Sequence, residues 1–290
     1  MVEQNCALIG FGAFILVFSL IGYRIIVYVK ETLKRRSELY NEIFPQLNFQ
    51  RVSPGSREWK NIGHIMKQIH FATQWIKREP DLKEAFRKEY DDFSVYAVED
   101  YVEIRRSYGS VGSPGRVGTT RSRSSSTFMM IPCRTGADTP LYIRRKQSEL
   151  IEKIIYKMGG QPARLPGPIP GFEDVMRVDS HISSPDLSFL DRDTQEVILK
   201  YQDVYPFEVE KDQEKDPHSI RTDFGVIVTP FGFAVSGPPV WDRKDLDRAL
   251  GFVQNFYKDL QASPLDLSEQ DLENVKSAEN DEETFYLPEN

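Results

Sequence analysis

The first 36 residues contain the feature that most constrains what this chain can become, an uncharged apolar run followed by a cluster of cations. No charged residue occurs among residues 4–23, and Arg24 is the only one among residues 7–29. A helix of about 20 residues is long enough to cross the hydrocarbon core of a bilayer. The run therefore predicts a transmembrane helix over residues 7–29, preceded by a short extracytoplasmic end at residues 1–6.

The cations beside this run predict its orientation. A cleaved signal peptide would carry basic residues before a shorter apolar stretch, whereas here they follow it as Arg24, Lys30, Lys34, Arg35 and Arg36. Basic flanks stay on the cytoplasmic side of a membrane. We therefore expect a single-pass protein with its N-terminus outside and the bulk of the chain in the cytoplasm, beginning with a basic juxtamembrane segment at residues 30–55. The alternative is a buried core helix of a soluble protein.

Charge and cysteine content narrow the class of the remaining chain. The net charge of the 290 residues is -7, but residues 263–290 hold nine acids and one base, so the rest of the chain is close to neutral. A near-neutral body lacks the basic face of a nucleic-acid-binding domain, and we expect no nucleic acid partner. The two cysteines, Cys6 and Cys133, do not suggest a disulfide framework, which agrees with a reducing compartment.

The acidic segment at residues 263–290 combines high charge with few apolar residues. Such a composition predicts a disordered tail, because the segment offers little apolar surface to offset the entropy lost on ordering. Its end carries an apolar cluster that is a candidate docking motif, formed by Phe285, Tyr286 and Leu287. The alternative is that these residues fold back weakly on the domain or have no role.

Hydrophobic periodicity predicts a helical region over residues 56–107 that leads into a first strand. One helix should run from about Arg57 to Lys77, and a second from Asp81 to about Phe93. The sequence "YVEIRRS" then alternates apolar and charged residues, which is typical of a strand with one exposed face.

Residues 108–127, "YGSVGSPGRVGTTRSRSSST", are rich in glycine and serine and offer little apolar surface to bury. This composition predicts a flexible loop. Its alternating cations and hydroxyl groups suit a contact or phosphorylation segment, and the candidate residues are Arg121, Ser122, Arg123 and Ser124. An insertion without a role is the alternative.

Residues 128–262 are predicted to form the core of an α+β domain. "TFMMIPC" and "LYIRR" are typical of the two strands of a hairpin, and "FGVIVTPFGFAVSG" predicts two strands joined at Thr229 and Pro230. "DRKDLDRALGFVQNFYKDL" has the apolar stripe of an amphipathic helix. Strands that arrive as hairpins between helices predict an antiparallel or mixed sheet with helices packed on one face.

Catalytic signals in the sequence are few. Asp179 and His181 are two residues apart on a predicted strand, so they would face the same side in a geometry that metal sites use, with His218 as a third candidate. "DSHISSPD" is equally typical of a turn. The sequence has no nucleophile elbow or phosphate-binding loop, and we predict no cofactor and no bound metal.

These features favour binding over catalysis. We expect a membrane-anchored cytosolic binding or scaffold module, or an accessory subunit of a membrane protein assembly. The predicted partners are the lipid bilayer, through residues 7–29, and a membrane or cytosolic protein. The alternative is a membrane-tethered hydrolase or metal-dependent enzyme that uses the Asp179 and His181 cluster.

Overall fold

A single antiparallel sheet organises the part of the chain that the structure describes. The structure is a computed structural model, and it describes residues 19, 22–24, 26–74, 81–109, 117–150, 152–153, 161–165, 167–180, 182, 184–202, 225–237, 243–269 and 272. The strands are β1 (Gln50–Arg51), β2 (Asp81–Glu89), β3 (Ser94–Gly109), β4 (Val117–Arg134), β5 (Leu141–Arg145), β6 (Gln161–Pro162), β7 (Met176–Ser180), β8 (Gly225–Thr229), β9 (Gly232–Gly237) and β10 (Ser263–Pro264). Their order is β1-β2-β3-β4-β9-β8-β5-β7-β6, and β10 pairs with β4. The predicted α+β class with an antiparallel sheet is confirmed.

The helices with described bounds are α1 (26–46), α2 (Arg57–Gln74), α3 (Phe172–Val175), α4 (Arg192–Lys200) and α5 (Arg243–Leu260), and residues 22–24, 149–150 and 152–153 are also helical. Within α1, Leu39–Ile43 has π-helical hydrogen bonding. Asp191 caps α4, since its side chain accepts a 2.8 Å hydrogen bond from the Thr194 amide. The predicted amphipathic helix near the C-terminus is α5, which buries Leu246, Ala249, Leu250, Phe252, Val253, Phe256 and Tyr257.

Helices cover both faces of the sheet, so the expectation of helices on one face was wrong. On the α5 face, residues of α1, α4 and α5 pack against side chains such as Met129 and Phe233. On the α2 face, α2 packs against Met130 and Ala234, the residues that follow Met129 and Phe233 in their strands. The physical reason lies in continuous apolar runs such as "FMMI", because a strand that is apolar at successive positions must bury both of its sides.

The predicted hairpin of "TFMMIPC" and "LYIRR" does not form. These segments belong to β4 and β5, and the β8–β9 hairpin lies between them, with β9 on β4 and β8 on β5. Gly232 permits the close approach of β9 to β4, because a Cβ there would stand 2.6 Å from the Ile131 carbonyl oxygen. The turn at Pro230 and Phe231 agrees with the predicted junction of two strands.

The predicted second helix, from Asp81 to Phe93, is the strand β2 instead. Phe86 packs in the α5-face core while its neighbour Ala85 packs in the α2-face core, as the alternation of a strand requires. Leu82, Phe86 and Tyr90 have helical spacing, which explains the prediction, but pairing with β3 over eight residue pairs overrides it.

Two segments expected to be irregular contribute to the sheet. Residues 117–127 of the predicted loop 108–127 lie in β4, which pairs with β3 as far as Gly109 and Val117, while residues 110–116 lie outside the described residues. At the start of the predicted tail, β10 pairs with β4, and Leu265, Leu267 and Leu272 are buried on the α2 face. The C-terminal segment has a polar composition, but these three leucines pack against the apolar side chains of α2.

The predicted transmembrane span, residues 7–29, lies mostly outside the described residues. Among all the residues that the structure describes, no helix has the length and apolar character needed to cross a bilayer.

Candidate functional site

Asp179, the first of the predicted catalytic residues, lies in β7 and is almost fully buried. The Nε atom of Arg144 donates a hydrogen bond to its Oδ2 atom at 2.6 Å. Burial raises the pKa of Asp179 above its ordinary value, against the opposing effect of the Arg144 guanidinium. The other two predicted members, His181 and His218, lie outside the described residues.

Arg144 joins Asp179 to a second buried carboxylate, that of Glu152. The two terminal nitrogens of the guanidinium donate to the two Glu152 carboxylate oxygens at 2.7 Å each. The backbone N–H of Gln147 donates to one of the same oxygens, also at 2.7 Å. A forked arrangement of this kind fixes the geometry of all three side chains. Asp179 therefore acts in the described structure as part of a buried ion cluster that ties β5 to β7.

A second buried pair joins α2 to β3. His70 contacts Asp100 through its Nε2 atom, both side chains are at most 2% exposed, and the imidazole lies edge-on to Phe128. The Nδ1 atom of His70 and the Oδ1 atom of Asp100 have no hydrogen-bond partner. In the parts of the chain that the structure describes, no group of three or more His, Cys, Asp or Glu side chains could hold a metal ion.

Cys133 is a buried thiol in β4, within the α5-face core. Burial raises the pKa of this thiol to about 12. A cysteine acts as a nucleophile only as the thiolate, so its environment suits packing and not catalysis.

The third cluster joins α1 to the sheet and is centred on Glu99, the residue that precedes Asp100. Arg36 forms a 2.9 Å ion pair with Glu99, and the Tyr40 hydroxyl donates to the other carboxylate oxygen. Burial, followed by the hydrogen bond to Glu99, raises the pKa of Tyr40, so the phenol stays protonated. Arg36 also donates to the Tyr101 hydroxyl at 3.3 Å. We call these four residues the α1 docking cluster.

A cleft of about 240 Å³, including its open mouth, lies beside the α1 docking cluster. Its apolar lining comes from both α1 and the sheet, and the rings of Phe44 and Phe86 are 4.5 Å apart between centroids and tilted by 51°. Glu84 stands opposite Glu99 in the β2–β3 register and forms a 2.5 Å ion pair with Arg51. The aromatic contacts and the ion pairs together hold the C-terminal half of α1 on the sheet.

The N-terminal part of α1 is exposed, in contrast to the part that follows Arg36. Large apolar side chains in this region are 47% to 67% exposed, namely those of Tyr23, which lies three residues before Ile26, and of Ile26, Tyr28, Val29 and Leu33. Of the cations predicted to flank a membrane, Arg24, Lys30, Lys34 and Arg35 are exposed as well. Arg36 differs, because its guanidinium is held by Glu99 and its side chain is 18% exposed.

The predicted loop residues Arg121, Ser122, Arg123 and Ser124 lie in β4, where they pair in register with Arg105, Ile104, Glu103 and Val102 of β3. The predicted docking motif of Phe285, Tyr286 and Leu287 lies outside the described residues.

Sequence reasoning missed Glu99 and Asp100, the two consecutive buried acids of β3. A signal was present, since "VYAVEDYVEI" places two adjacent acids inside an apolar strand, and buried acids require partners. No family model, curated protein or solved structure matches this chain. The assignment of a function therefore rests on the contacts described above.

Proposed function

We propose that this chain is a single-pass membrane protein whose cytosolic α+β domain acts as a binding or scaffold module, or as an accessory subunit of a membrane protein assembly. The observation that carries the proposal is the exposed apolar surface at the N-terminal end of α1. Ile26, Val29 and Leu33 leave roughly half of their surface in contact with solvent, although the same helix leaves only 5% of Leu39 and 2% of Phe44 exposed a few turns later.

Insertion of the predicted span in a bilayer would remove the unfavourable exposure of Ile26 and Val29. Burying one large aliphatic side chain is worth about 1.5–3 kcal/mol, and tyrosines are enriched where a helix meets the membrane surface. Tyr23 and Tyr28 lie among the exposed apolar residues, and the uncharged run of residues 4–23 ends at Tyr23. These features support an anchor that ends near the start of the described helix.

The α1 docking cluster supports a defined distance between the domain and the membrane. α1 is a continuous helix from Ile26 to Arg36, which corresponds to about 15 Å of rise. At Arg36 and Tyr40 it becomes bound to Glu99 of the sheet. A short helix that is fixed at its domain end holds a binding surface near the bilayer, which is what an accessory subunit requires.

The partner in this proposal is a membrane or cytosolic protein, and the terminal cluster of Phe285, Tyr286 and Leu287 is the proposed docking motif. No described contact favours the hydrolase alternative, because Asp179 is bound to Arg144. Stoichiometric Zn²⁺ binding that is lost in His181→Ala would overturn the scaffold proposal in favour of that alternative.

Alkaline extraction and cysteine labelling of the full-length chain in intact cells test the anchor and its orientation. Variants with one accessible cysteine are prepared in a Cys6→Ser background, in which the buried Cys133 is left in place. We expect the chain to stay with the membrane at high pH and Gln4→Cys to react with an impermeant maleimide. Ser236→Cys, at an exposed position of β9, should react only after permeabilisation. External labelling of Ser236→Cys would contradict the proposed orientation, and release at high pH would contradict the anchor.

The docking motif is tested by co-purification from solubilised membranes. A variant with alanine at residues 285–287 should recover less of a partner than the wild-type chain, whereas Leu150→Ala, a matched change at an exposed leucine, should recover the same amount. Equal recovery by both variants would remove the motif from the proposal.

A further inference from the structure

The β3–β4 hairpin extends well beyond the rest of the sheet. β2 pairs with β3 only as far as Tyr101, and β9 pairs with β4 only from Thr127 onward. Beyond these points, residues 102–109 of β3 pair with residues 117–124 of β4, and in the described residues no other strand joins them. We call this two-stranded extension the distal ribbon.

The distal ribbon has an excess of positive charge that its own pairing does not balance. It contains four arginines, at positions 105, 106, 121 and 123, and one acid, Glu103. Glu103 stands opposite Arg123, but Arg105 stands opposite Arg121. Like charges that are directly opposite each other destabilise a strand pair. The register therefore favours an external anion at Arg105 and Arg121.

The α1 docking cluster shows in which direction the ribbon extends. Tyr40 contacts Glu99, whereas Arg36, four residues nearer the N-terminus of α1, also reaches Tyr101, two residues farther along β3. Four residues of helix rise about 6 Å, and two residues of strand rise about 7 Å. The axes of α1 and β3 are therefore nearly aligned, and the two chains run in opposite directions. The distal ribbon, which continues β3, extends toward the N-terminal end of α1.

The same rise per residue of helix and of strand places the ribbon arginines level with the exposed part of α1. Ile26 lies about 15 Å along the helix from Arg36, and Arg105 lies about 14 Å along the strand from Tyr101. Ile26 is 56% exposed, and under the proposed function it lies where the anchor meets the membrane surface. The like-charge pair of Arg105 and Arg121 then stands at the level of the lipid headgroups.

From this juxtaposition we propose that the distal ribbon is a second membrane contact, which binds the anionic phospholipid headgroups of the leaflet that α1 enters. The inference rests on the proposed anchor. Lys30, Lys34 and Arg35 are exposed on α1, so that helix and ribbon together present cations to one anionic surface. Two contacts fix the orientation of the domain on the membrane, whereas the anchor alone leaves it free to tilt.

The test uses the full-length chain, with Cys6→Ser, in lipid nanodiscs. Ser122→Cys is labelled with a fluorophore, and quenching by a nitroxide on the lipid headgroup measures the proximity of the ribbon to the bilayer. We expect strong quenching in discs that contain phosphatidylserine and weak quenching in discs of phosphatidylcholine alone. Replacing all four ribbon arginines with glutamine should lower the ratio of bound to free ribbon by about tenfold or more. Raised salt should lower this ratio as well.

Two controls separate this inference from the proposed function. Arg192→Gln removes an exposed cation of α4 and should leave the quenching unchanged, and circular dichroism with thermal melting checks that the ribbon variant folds. Resistance to alkaline extraction reports the anchor alone. Quenching that depends neither on phosphatidylserine nor on the arginines, in a chain that resists extraction, would overturn the ribbon contact and leave the anchor intact. Protection of the ribbon only when a protein partner is added would also overturn it.

Discussion

The two faces of the sheet are both buried, but they are stabilised by different interactions. On the α5 face, Phe256 lies within 6 Å of Phe233, Phe252 and Tyr201, measured between ring centroids, and outside the α1 docking cluster this core is almost entirely apolar. The α2 face includes charged side chains inside the fold, in three groups: His70 with Asp100, Arg144 with Glu152 and Asp179, and Glu58 with Arg87 and Tyr96.

This difference shows where the fold depends on shape and where it depends on specific partners. Apolar residues tolerate exchange when volume is conserved, whereas a buried charge is costly once its partner is removed. The α2 face is also the one that the C-terminal segment completes. We therefore expect the stability of α2-face variants to depend on pH and on the C-terminal segment. The stability of variants in the α5-face core away from the α1 docking cluster should depend on side-chain volume alone.

The largest effect should follow removal of residues 263–290. Among the described residues of this segment, the buried Leu265, Leu267 and Leu272 lose their contacts with the α2-face core, and burial of each is worth about 1.5–3 kcal/mol. Asn61 also loses its 2.7 Å hydrogen bond to the Leu267 carbonyl. We expect the free energy of unfolding to fall by about 5 kcal/mol or more, measured by denaturant titration.

A chain that ends after Leu272 is the matched control for this truncation, because it retains the three leucines. It should unfold at nearly the same denaturant concentration as the full chain. If removal of residues 263–290 left stability unchanged, the α2 face would not depend on the C-terminal segment.

Arg144→Met should cost about 3–5 kcal/mol at neutral pH, since it leaves Glu152 and Asp179 buried without their cation. Burial already raises the pKa of Asp179, and loss of the guanidinium raises it further. The folded variant therefore binds protons more readily than the unfolded chain does, so its deficit shrinks as the pH falls from 8 toward 5.

Denaturant titrations of the wild type and the variant at several pH values check this expectation. Arg192→Met, at a cation that is 80% exposed, should change stability by less than about 1 kcal/mol. A deficit for Arg144→Met that is the same at pH 5 and pH 8 would show that the carboxylates do not gain protons when the arginine is removed.

Leu246→Ala is the corresponding change on the α5 face, where Leu246 is fully buried. The cavity and the lost burial should cost about 3 kcal/mol. No charged group is created or removed, so the deficit should not change between pH 5 and pH 8. A pH-dependent deficit would show that the two faces are not energetically distinct. The same denaturant titrations provide the measurement.

The smallest effects come from two matched tyrosines. Tyr40→Phe removes a hydrogen bond to Glu99 on the α5 face, and Tyr96→Phe removes a 2.7 Å hydrogen bond to Glu58 on the α2 face. Each should cost about 1.5 kcal/mol, as is usual for bonds to charged groups. Tyr40→Phe should loosen α1 before global unfolding, which hydrogen exchange measures as faster exchange in α1 alone. Exchange that rises equally in α1 and α2 would contradict a separate docking role for Tyr40.

Local patterns predicted much of this architecture. The apolar stripe of α5, the junction at Pro230 and the strand character of β7 are properties of short segments, and the structure agrees with each. The placement of β8 and β9 between β4 and β5 depends on partners about 90 residues away in the chain, which periodicity does not contain. β2 was predicted as a helix because its apolar spacing fits one, and only pairing with β3 decides otherwise.

The buried clusters were harder to predict than the elements. Asp179 stood out because His181 is near it in sequence, but the partners that the structure gives it, Arg144 and through it Glu152, are 35 and 27 residues away. Glu99 and Asp100 were visible as acids in an apolar strand, yet nothing in the sequence indicates that one binds α1 and the other α2. Side-chain partners across a sheet follow from tertiary register, and register requires the fold.

The position of the β8–β9 hairpin between β4 and β5 also determines when the sheet can form during synthesis. The end of β4 at Arg134 and the start of β8 at Gly225 are separated by about 90 residues, which a ribosome takes roughly 5 to 20 s to add. During this interval, the edge of β4 that β9 will occupy has no pairing strand from downstream, although its side chains include Met129, Met130 and Ile131. The sheet of the nascent chain can be completed only late in synthesis, so until then β4 has an unpaired backbone edge next to exposed apolar side chains, the kind of surface that leads to aggregation.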